Sequence, residues 1–321
     1  MSLCHPFRFG IVNEQMTTRQ AWIDQAQRAE ELGYATFLIR DHFVPDFFGD
    51  QFAPFTALMA AAAATTTLRV GTLVIDNDYR HPVVLAKEAA TLDLLSGGRL
   101  ELGLGAGWLR AEYDKSGLPF QPPATRIARL EEAIQVLKRL FADAPASFSG
   151  EHYAVCELDG YPRPAQRPHP PLLIGGAGKR MLALAAREAD IIHFLPSTIS
   201  TGTLVANPRD RLAATLMERI AWVRQQAGTR FADIELAPSG TIVIADDRPA
   251  AAERLIAENG WRDHGIGVED VWDMPGVFVG TVDEITAAMI ERRERFGFSY
   301  FVVPSAEMET CAPVVARLAG T

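Results

Sequence analysis

Residues 30–39 read Glu-Glu-Leu-Gly-Tyr-Ala-Thr-Phe-Leu-Ile, and residues 294–303 read Glu-Arg-Phe-Gly-Phe-Ser-Tyr-Phe-Val-Val. In each stretch a charged, helix-like segment stops at a glycine, Gly33 or Gly297, and an almost wholly apolar run follows. Glycine readily takes the left-handed conformation that ends a helix. A continuous apolar run is typical of a strand buried on both faces of a parallel sheet. The same helix–strand unit near both ends of the chain therefore predicts a closed ring of such units.

The segments between these two units complete the ring. The predicted strands are Phe7–Val12, the run after Gly33, Arg69–Ile75, Leu100–Leu104, Leu172–Ile174, Ile191–Phe194, Ile234–Ala245 and Phe298–Val303. The predicted helices are Thr18–Leu32, Phe55–Thr66, Pro82–Leu95, Thr125–Phe141, a helix starting near Lys179, Arg209–Ala227 and Glu284–Phe296. Eight strands that alternate with helices predict an α/β fold, the (β/α)₈ TIM barrel. No segment looks like a linker, so we expect one domain over residues 1–321, with loop insertions near 145–171, 196–208 and 246–280.

Composition excludes several classes of protein. Apolar residues make up 48% and charged residues 22% of the chain, which is ordinary for a globular protein. A net charge of -9 argues against nucleic acid as a partner, because such binding depends on neutralising phosphates. The longest apolar run, Phe55–Ala64, is too short to cross a membrane, and Arg8 and Glu14 interrupt the start of the chain, unlike a signal peptide. We therefore expect a cytoplasmic location.

Metal and disulfide chemistry are not expected. The cysteines lack the spacing of a metal site or a disulfide framework, and no H-E-x-x-H motif occurs. These cysteines are Cys4, Cys156 and Cys311.

Catalytic residues of such barrels lie at the C-terminal ends of the strands. The residues that follow the first six predicted strands are Asn13; Arg40, Asp41 and His42; Asp76, Asn77 and Asp78; Gly105, Ala106, Gly107 and Trp108; Gly175, Gly176, Ala177 and Gly178; and His193. In this set Asp41-His42 is the pair most suited to proton transfer, because histidine titrates near neutral pH and a neighbouring carboxylate can tune it. A polar surface turn would explain the same two residues.

Glycines end two neighbouring strands. They allow backbone N–H groups to approach an anion closely, and Gly178 leads into a helix N-terminus, which favours phosphate. Tight turns would also explain these glycines. Because the spacing is not that of a dinucleotide-binding motif, we interpret the two turns, 105–107 and 175–178, as gripping one phosphate-bearing cofactor from two sides.

The stretch from Arg80 to Leu100, continuing through Gly103-Leu104-Gly105-Ala106-Gly107-Trp108, resembles the signature of the luciferase-like monooxygenase superfamily. The resemblance extends over almost the whole chain, from Phe9-Gly10 to Phe301-Val302-Val303. It implies a (β/α)₈ barrel with added loops, a homodimer, and binding of either flavin mononucleotide (FMN) or the deazaflavin coenzyme F420.

The resemblance also assigns roles to residues. Asp41-His42-Phe43-Val44-Pro45 is similar to the D-H-F-x-P segment of deazaflavin-dependent members, which implies that His42 is the acid or base and that Asp41 supports it or the ring. Leu73-Val74-Ile75 matches a bulged third strand, which often carries a non-proline cis peptide and backs the ring; we place this bulge at Leu73-Val74. Ala106-Gly107 and residues 175–178 match the phosphate-binding regions, and Asn13 and Gly105 complete the expected cofactor site. Trp108 and His193 are expected on the substrate side.

These roles predict an oxidoreductase that transfers hydride between coenzyme F420 and a small organic substrate. Arg110, Lys179 and Arg180 are candidate cations for the anionic cofactor tail. The first alternative is a monooxygenase in which FMN, reduced by a partner reductase, reacts with dioxygen. The second is a non-catalytic flavin-binding protein. Sugar-phosphate dehydrogenases of the family carry Trp in place of Asp46 and Glu in place of Trp108, which argues against that particular reaction.

Overall fold

The computed structural model describes residues 5–13, 18–45, 48–197, 202–203 and 207–321. The strands are β1 (Arg8–Asn13), β2 (Thr36–Ile39), β3 (Arg69–Thr72), β4 (Ile75–Asp76), β5 (Leu100–Gly105), β6 (Ala146–Ser149), β7 (Ala154–Leu158), β8 (Leu172–Gly176), β9 (Ile191–Phe194), β10 (Glu235–Pro238), β11 (Thr241–Ile244), β12 (Val277–Gly280) and β13 (Tyr300–Pro304). The helices are α1 (Arg19–Glu31), α2 (Pro54–Ala64), α3 (Pro82–Leu95), α4 (Arg110–Ser116), α5 (Pro123–Phe141), α6 (Lys179–Glu188), α7 (Ala213–Ala227), α8 (Arg248–Glu258), α9 (Val268–Asp273), α10 (Val282–Phe296) and α11 (Met308–Leu318).

The predicted barrel is confirmed. Parallel pairing runs in the order β10, β9, β8, β5, β3, β2, β1, β13. A parallel bridge between Leu236 and Phe298 joins the two ends of this sheet. The barrel therefore closes next to its last strand, and the helices pack around its outside. In the described part of the chain no helix combines the length and apolar character that a membrane span requires.

The seventh predicted strand, Ile234–Ala245, is wrong as one continuous strand. The chain turns at Ser239-Gly240, so that β10 stays in the barrel while β11 leaves it and pairs with β12. The backbone of Gly276 lies against the Ser239 carbonyl so closely that a Cβ at Gly276 would clash with it. Glycine inside a strand-like run often marks such a close backbone approach.

The three predicted insertions have different outcomes. Residues 145–171 contain the antiparallel hairpin β6–β7, and Gln166 further along binds Asp93 and the Leu100 carbonyl at the N-terminal end of the barrel. Residues 246–280 contain α8 and α9, as expected for added helices. Most of 196–208 lies outside the described residues. The sequence analysis missed α4 and α11.

The N-terminal end of the barrel interior is filled by an ion cluster. Arg8 donates to Glu235 at 2.8 Å and contacts Glu101, which also accepts from Arg69 at 2.7 Å. Burial alone would raise the pKa of Glu101, but the two guanidinium groups lower it overall. Since side chains alternate between the two faces of a strand, the inward positions of β1, β5 and β10 meet here.

Above the ion cluster the interior is apolar. This layer comprises Val12, Leu38, Leu73, Leu173, Ile191, Ala237, Tyr300 and Val302. A larger apolar layer between the strands and the helices includes Trp22 of α1, which packs edge-on against Phe37 and donates to the Ala57 carbonyl at 2.9 Å. Apolar side chains therefore occupy the centre of the barrel.

Replacing Glu101 by glutamine should destabilise the fold by about 3–5 kcal/mol, because it leaves buried guanidinium charge without its partner. Urea unfolding measures this loss. The control is Glu309→Gln, which breaks an exposed pair with Arg28 and should cost much less, because water and salt screen an exposed ion pair. Equal losses in the two variants would contradict the importance of the ion cluster.

Candidate active site

The third barrel strand is interrupted between β3 and β4. The peptide bond between Leu73 and Val74 is cis, at the position predicted from the sequence. Val74 presses on β5: a Cβ at Gly105 would lie 2.6 Å from its Cγ2, and one at Gly103 would lie 3.1 Å from its Cγ1. Neither glycine has positive φ. The tight-turn interpretation therefore fails for Gly103 and Gly105, which instead make room for the bulge.

The glycines after β8 serve different purposes. Gly176 faces α6, where a Cβ would lie 2.7 Å from Met181 Cγ. Gly175 faces the barrel mouth, and a Cβ there would find only the His193 carbonyl, at 3.9 Å. Packing therefore requires glycine at 176 but leaves open space at 175. Gly178 precedes α6 without a side-chain cap, so the first N–H groups of that helix remain available to an anion.

His42 is held by a carboxylate that the sequence analysis did not identify. Its Nδ1 lies 3.0 Å from Glu112 Oε2 on α4, and Glu112 also accepts from the Tyr79 hydroxyl at 2.7 Å and from the Phe43 amide at 2.5 Å. Burial acts to raise the pKa of Glu112, but its hydrogen bonds to His42 and Tyr79 lower it overall. The ionised carboxylate accepts the Nδ1 proton, so Nε2 is the imidazole nitrogen left for chemistry.

Aromatic rings form the wall beside His42. The Phe48 ring stacks on the imidazole with a centroid distance of 5.1 Å, and Trp108 meets it edge-on at 6.0 Å. The Arg40 guanidinium also packs on the Phe48 ring, with its central carbon 4.0 Å from the ring centroid. Trp108 is therefore close to His42.

Asp41 binds Arg80. The guanidinium makes a two-point contact with the carboxylate, which also accepts from the Asp76 amide at 3.2 Å. Burial raises the pKa of Asp41, and Arg80 opposes that shift. Asp41 thus ties the turn after β2 to the turn after β4 and positions the adjacent His42.

A second buried acid lies beneath Gly107. Asp76 accepts from the Tyr113 hydroxyl at 3.0 Å; the same hydroxyl lies 3.1 Å from Asp78, which pairs with Arg129. Burial, reinforced by the charge of Asp78, raises the pKa of Asp76 to about 8. Gly107 has φ of 71°, and a Cβ on it would collide with Tyr113 and Asp76. The glycine therefore lets the loop after β5 rest on this acid pair.

His193 lies on the other side of the mouth. It is 6% exposed, and its Nε2 is 3.0 Å from the Ser239 hydroxyl. Burial, helped by the charge of Arg40, lowers the pKa of His193 to about 4. This histidine is therefore neutral at physiological pH and suited to hydrogen bonding.

Two of the remaining candidate residues have side chains that contact the helices around the barrel. Asn13 is buried and its amide donates to Gln25 on α1, so its side chain faces the helix layer. Lys179 lies with its ammonium 4.3 Å from the Trp222 ring centroid on α7. Asp46 lies outside the described residues. The sequence analysis missed Glu112 because the short helix α4, which carries it, was not predicted.

We predict that Asp76→Asn flattens the pH dependence of stability. Because the folded-state pKa of Asp76 is raised, between about pH 4 and pH 8 the folded chain holds a proton that the unfolded chain releases, so the free energy of unfolding falls as pH rises. The slope from one such group is at most about 1.4 kcal/mol per pH unit. Urea unfolding across this range measures it. The exposed Asp233→Asn is the control, and an unchanged slope in Asp76→Asn would count against a buried neutral acid.

Comparison with known proteins agrees with this architecture. The FMNH(2)-dependent dimethylsulfone monooxygenase of Pseudomonas putida is 32% identical over 187 residues, which is 56% of this chain and 51% of that protein. An F420-dependent glucose-6-phosphate dehydrogenase of Amycolatopsis mediterranei is 34% identical over 171 residues, 52% of this chain and 51% of that one. The chain spans about half the length of these curated relatives.

Similarity in structure extends further along the chain. The crystal structure of a monooxygenase from Streptomyces bottropensis superimposes with a TM-score of 0.72 at 25% identity, covering 97% of both chains. The family model for luciferase-like monooxygenases matches residues 1–300. Because this match covers nearly the whole chain, the protein belongs to the luciferase-like monooxygenase family.

Proposed function

We propose that this protein is an oxidoreductase that transfers hydride between coenzyme F420 and a small organic substrate. The observation that carries the proposal is His42, which is fixed by Glu112 at the open end of the barrel beside the third-strand bulge. When bound, the coenzyme supplies a ring carbon that gives or accepts hydride. The similarity to F420-dependent glucose-6-phosphate dehydrogenase supports this choice of cofactor.

The residues at the mouth fit such a coenzyme. The bulge at Leu73-Val74 offers an apolar surface for one face of a flat ring, and Gly175 leaves space that no side chain fills. The uncapped N-terminus of α6 after Gly178 suits a phosphate. In this proposal the backbone of Ala106-Gly107 lines the same phosphate site from the other side.

His42 is the proposed proton donor or acceptor. With Glu112 holding the Nδ1 proton, Nε2 accepts a proton from substrate or returns one to it as hydride moves. Phe48 and Trp108 exclude water from one side of the imidazole. Asp41 and Arg80 keep the turn that carries His42 in place, so they act as positioning residues.

A monooxygenase using reduced FMN and dioxygen is the second candidate. The similarity to the dimethylsulfone monooxygenase favours it, and the glycine turns suit either phosphate. In this alternative a separate reductase supplies the reduced flavin.

Of the three cations predicted for a deazaflavin tail, Lys179 packs on Trp222 and Arg110 pairs with Asp114, while Arg180 is exposed at the start of α6. Arg180 therefore remains the cation that we assign to the tail.

We do not propose a sugar phosphate as the substrate. Trp108 stands where the resemblance places a glutamate in the sugar-phosphate dehydrogenases. The Trp108 ring meets His42 and Phe48 edge-on, so an apolar wall occupies that side of the site. An apolar wall favours a substrate whose reacting part is less hydrated than a sugar.

Direct titration tests the choice of cofactor. The purified protein should bind coenzyme F420 more tightly than FMN, whether oxidised or reduced, as followed by the intrinsic fluorescence or absorbance of each. Gly175→Val should weaken this binding at least tenfold with little loss of stability, because the side chain fills open space. Tighter binding of FMN than of coenzyme F420 would favour the monooxygenase instead. An unchanged cofactor affinity in Gly175→Val would show that the cofactor does not bind at the barrel mouth.

Substitutions at His42 and Glu112 test the proposed chemistry. His42→Ala should lower kcat about 10²–10⁴-fold, the usual contribution of a general acid or base, while cofactor affinity stays within a few-fold. Glu112→Gln should give a smaller fall in kcat, and ¹⁵N NMR should show a larger share of the His42 tautomer protonated at Nε2. Full turnover in His42→Ala would refute the role of His42. A His42 tautomer ratio in Glu112→Gln equal to that of the unsubstituted protein would refute the role of Glu112.

A further inference from the structure

A polar recess lies beside the turn that follows β4. Its volume is about 470 Å³, and it is bounded by residues 77–81, by Arg129 of α5 and by residues 151–153 of the hairpin loop between β6 and β7. His42, Trp108 and the glycine turns lie outside its lining. The recess is therefore a second place, apart from the barrel mouth, with room for a small molecule.

Asn77 gives the recess an unmet hydrogen bond. Its side chain is 1% exposed, and its Nδ2 donates to the Tyr153 hydroxyl at 3.3 Å, whereas Oδ1 has no hydrogen-bond partner in the described part of the chain. Turning the amide over would only exchange the two atoms and leave the nitrogen without a partner. A buried polar atom without a partner is costly, so a ligand that pairs with it is stabilised. A hydroxyl group pairs with the amide in either orientation, because it both donates and accepts.

The arginines of the recess are already paired within the chain. Arg129 pairs with Asp78 at 3.0 Å, and Arg80 binds Asp41. The other charged residue of the lining is Glu151, which is exposed and can accept a hydrogen bond from a neutral group. Among the described residues the recess thus has no unpaired arginine or lysine with which to select an anion. Its charges favour a neutral ligand.

Uncharged donors line the same recess. The Tyr153 hydroxyl accepts from Asn77 and keeps its own proton to donate. His81 Nδ1 accepts from the Val83 amide at 3.3 Å, so a neutral imidazole carries its proton on Nε2. The rings of His81 and Tyr153 meet edge-on with a centroid distance of 5.3 Å, which brings the two donors within the reach of one small molecule. Donors and acceptors in one lining suit a molecule with several hydroxyl groups.

We propose that this recess binds a neutral polyhydroxylated molecule, a sugar or a polyol, with one hydroxyl group on the Asn77 amide. The proposal goes beyond the proposed function, because neither the redox cofactor nor His42 enters the argument. The recess still adjoins the acid–base site, since Tyr79 and Arg80 of the same turn bind Glu112 and Asp41.

A comparison of hydroxyl-rich and hydroxyl-poor probes tests the recess. Binding of myo-inositol, D-glucose, D-ribose and glycerol to the purified protein is measured by ligand-observed NMR against cyclohexanol, a six-carbon ring with one hydroxyl group. At least one of the polyols should bind more tightly than cyclohexanol, and the ¹⁵N-labelled side-chain amide of Asn77 should shift as it binds. Asn77→Leu should weaken this binding about tenfold, the loss expected for one hydrogen bond.

A second variant and a matched control accompany Asn77→Leu. Tyr153→Phe removes a donor but keeps the ring, so it should weaken binding of the same polyol even if Asn77→Leu fails to fold by circular dichroism. Tyr161→Phe removes an exposed hydroxyl beyond β7 and should leave the binding unchanged.

Three results would overturn the proposal. If none of the four polyols binds, water alone satisfies Asn77 and the recess is not a ligand site. Polyol binding that is unchanged in both Asn77→Leu and Tyr153→Phe places the polyol elsewhere. Cyclohexanol binding as tight as that of the polyols assigns the binding to apolar contact.

Cofactor titration of the same preparations separates this proposal from the proposed function. Tyr153→Phe should keep the affinity of the unsubstituted protein for coenzyme F420 and FMN, and a loss of that affinity assigns the recess to the cofactor instead. Polyol binding without cofactor binding rejects the proposed function alone, and cofactor binding without polyol binding rejects the polyol site alone.

Discussion

The contact between the interrupted third strand and the fourth barrel strand sets the geometry of the whole site. Val74 occupies the space that a side chain at Gly105 would need, and a Cβ at Gly103 would lie 1.9 Å from the Thr72 carbonyl oxygen, so the two strands come together only because β5 carries glycine at these inward positions. This contact fixes where β4 resumes and where Asp76, Asn77 and Asp78 begin. The turn that follows then carries Tyr79 to Glu112 and Arg80 to Asp41.

Buried polar contacts connect these turns above the apolar interior. Asp41 and Arg80 join the turns after β2 and β4, while Tyr113 joins Asp76 to Asp78 beneath Gly107. Buried charges are tolerated when they are paired and hydrogen-bonded. The loops that build the mouth are therefore held by fixed electrostatic contacts, and His42 is oriented with them. At the opposite end of the barrel, the ion pairs of Glu101 with Arg8 and Arg69 hold the strands in place in the same way.

The mouth divides into two sides with different chemistry. On one side lie the apolar bulge, the glycine turns and the start of α6, which suit a flat cofactor with a phosphate. On the other lie His193, which contacts Ser239, and Arg40, which packs on Phe48. In the proposed function, the reacting atoms meet near His42.

The sequence by itself determined the barrel and most helix and strand positions, because local signals suffice for these: apolar runs, helical periodicity and glycine stops. The site of the cis peptide followed from the resemblance of Leu73-Val74-Ile75 to the bulged third strand of the family. The sequence also identified His42, Trp108 and His193 as strand-end residues. Only the tertiary structure decided that Glu112 orients His42, that His193 contacts Ser239, and that Gly175 faces open space while Gly176 faces α6. These facts depend on which side chains meet in the folded chain, between residues as far apart as 42 and 112, and no local sequence pattern encodes such a contact.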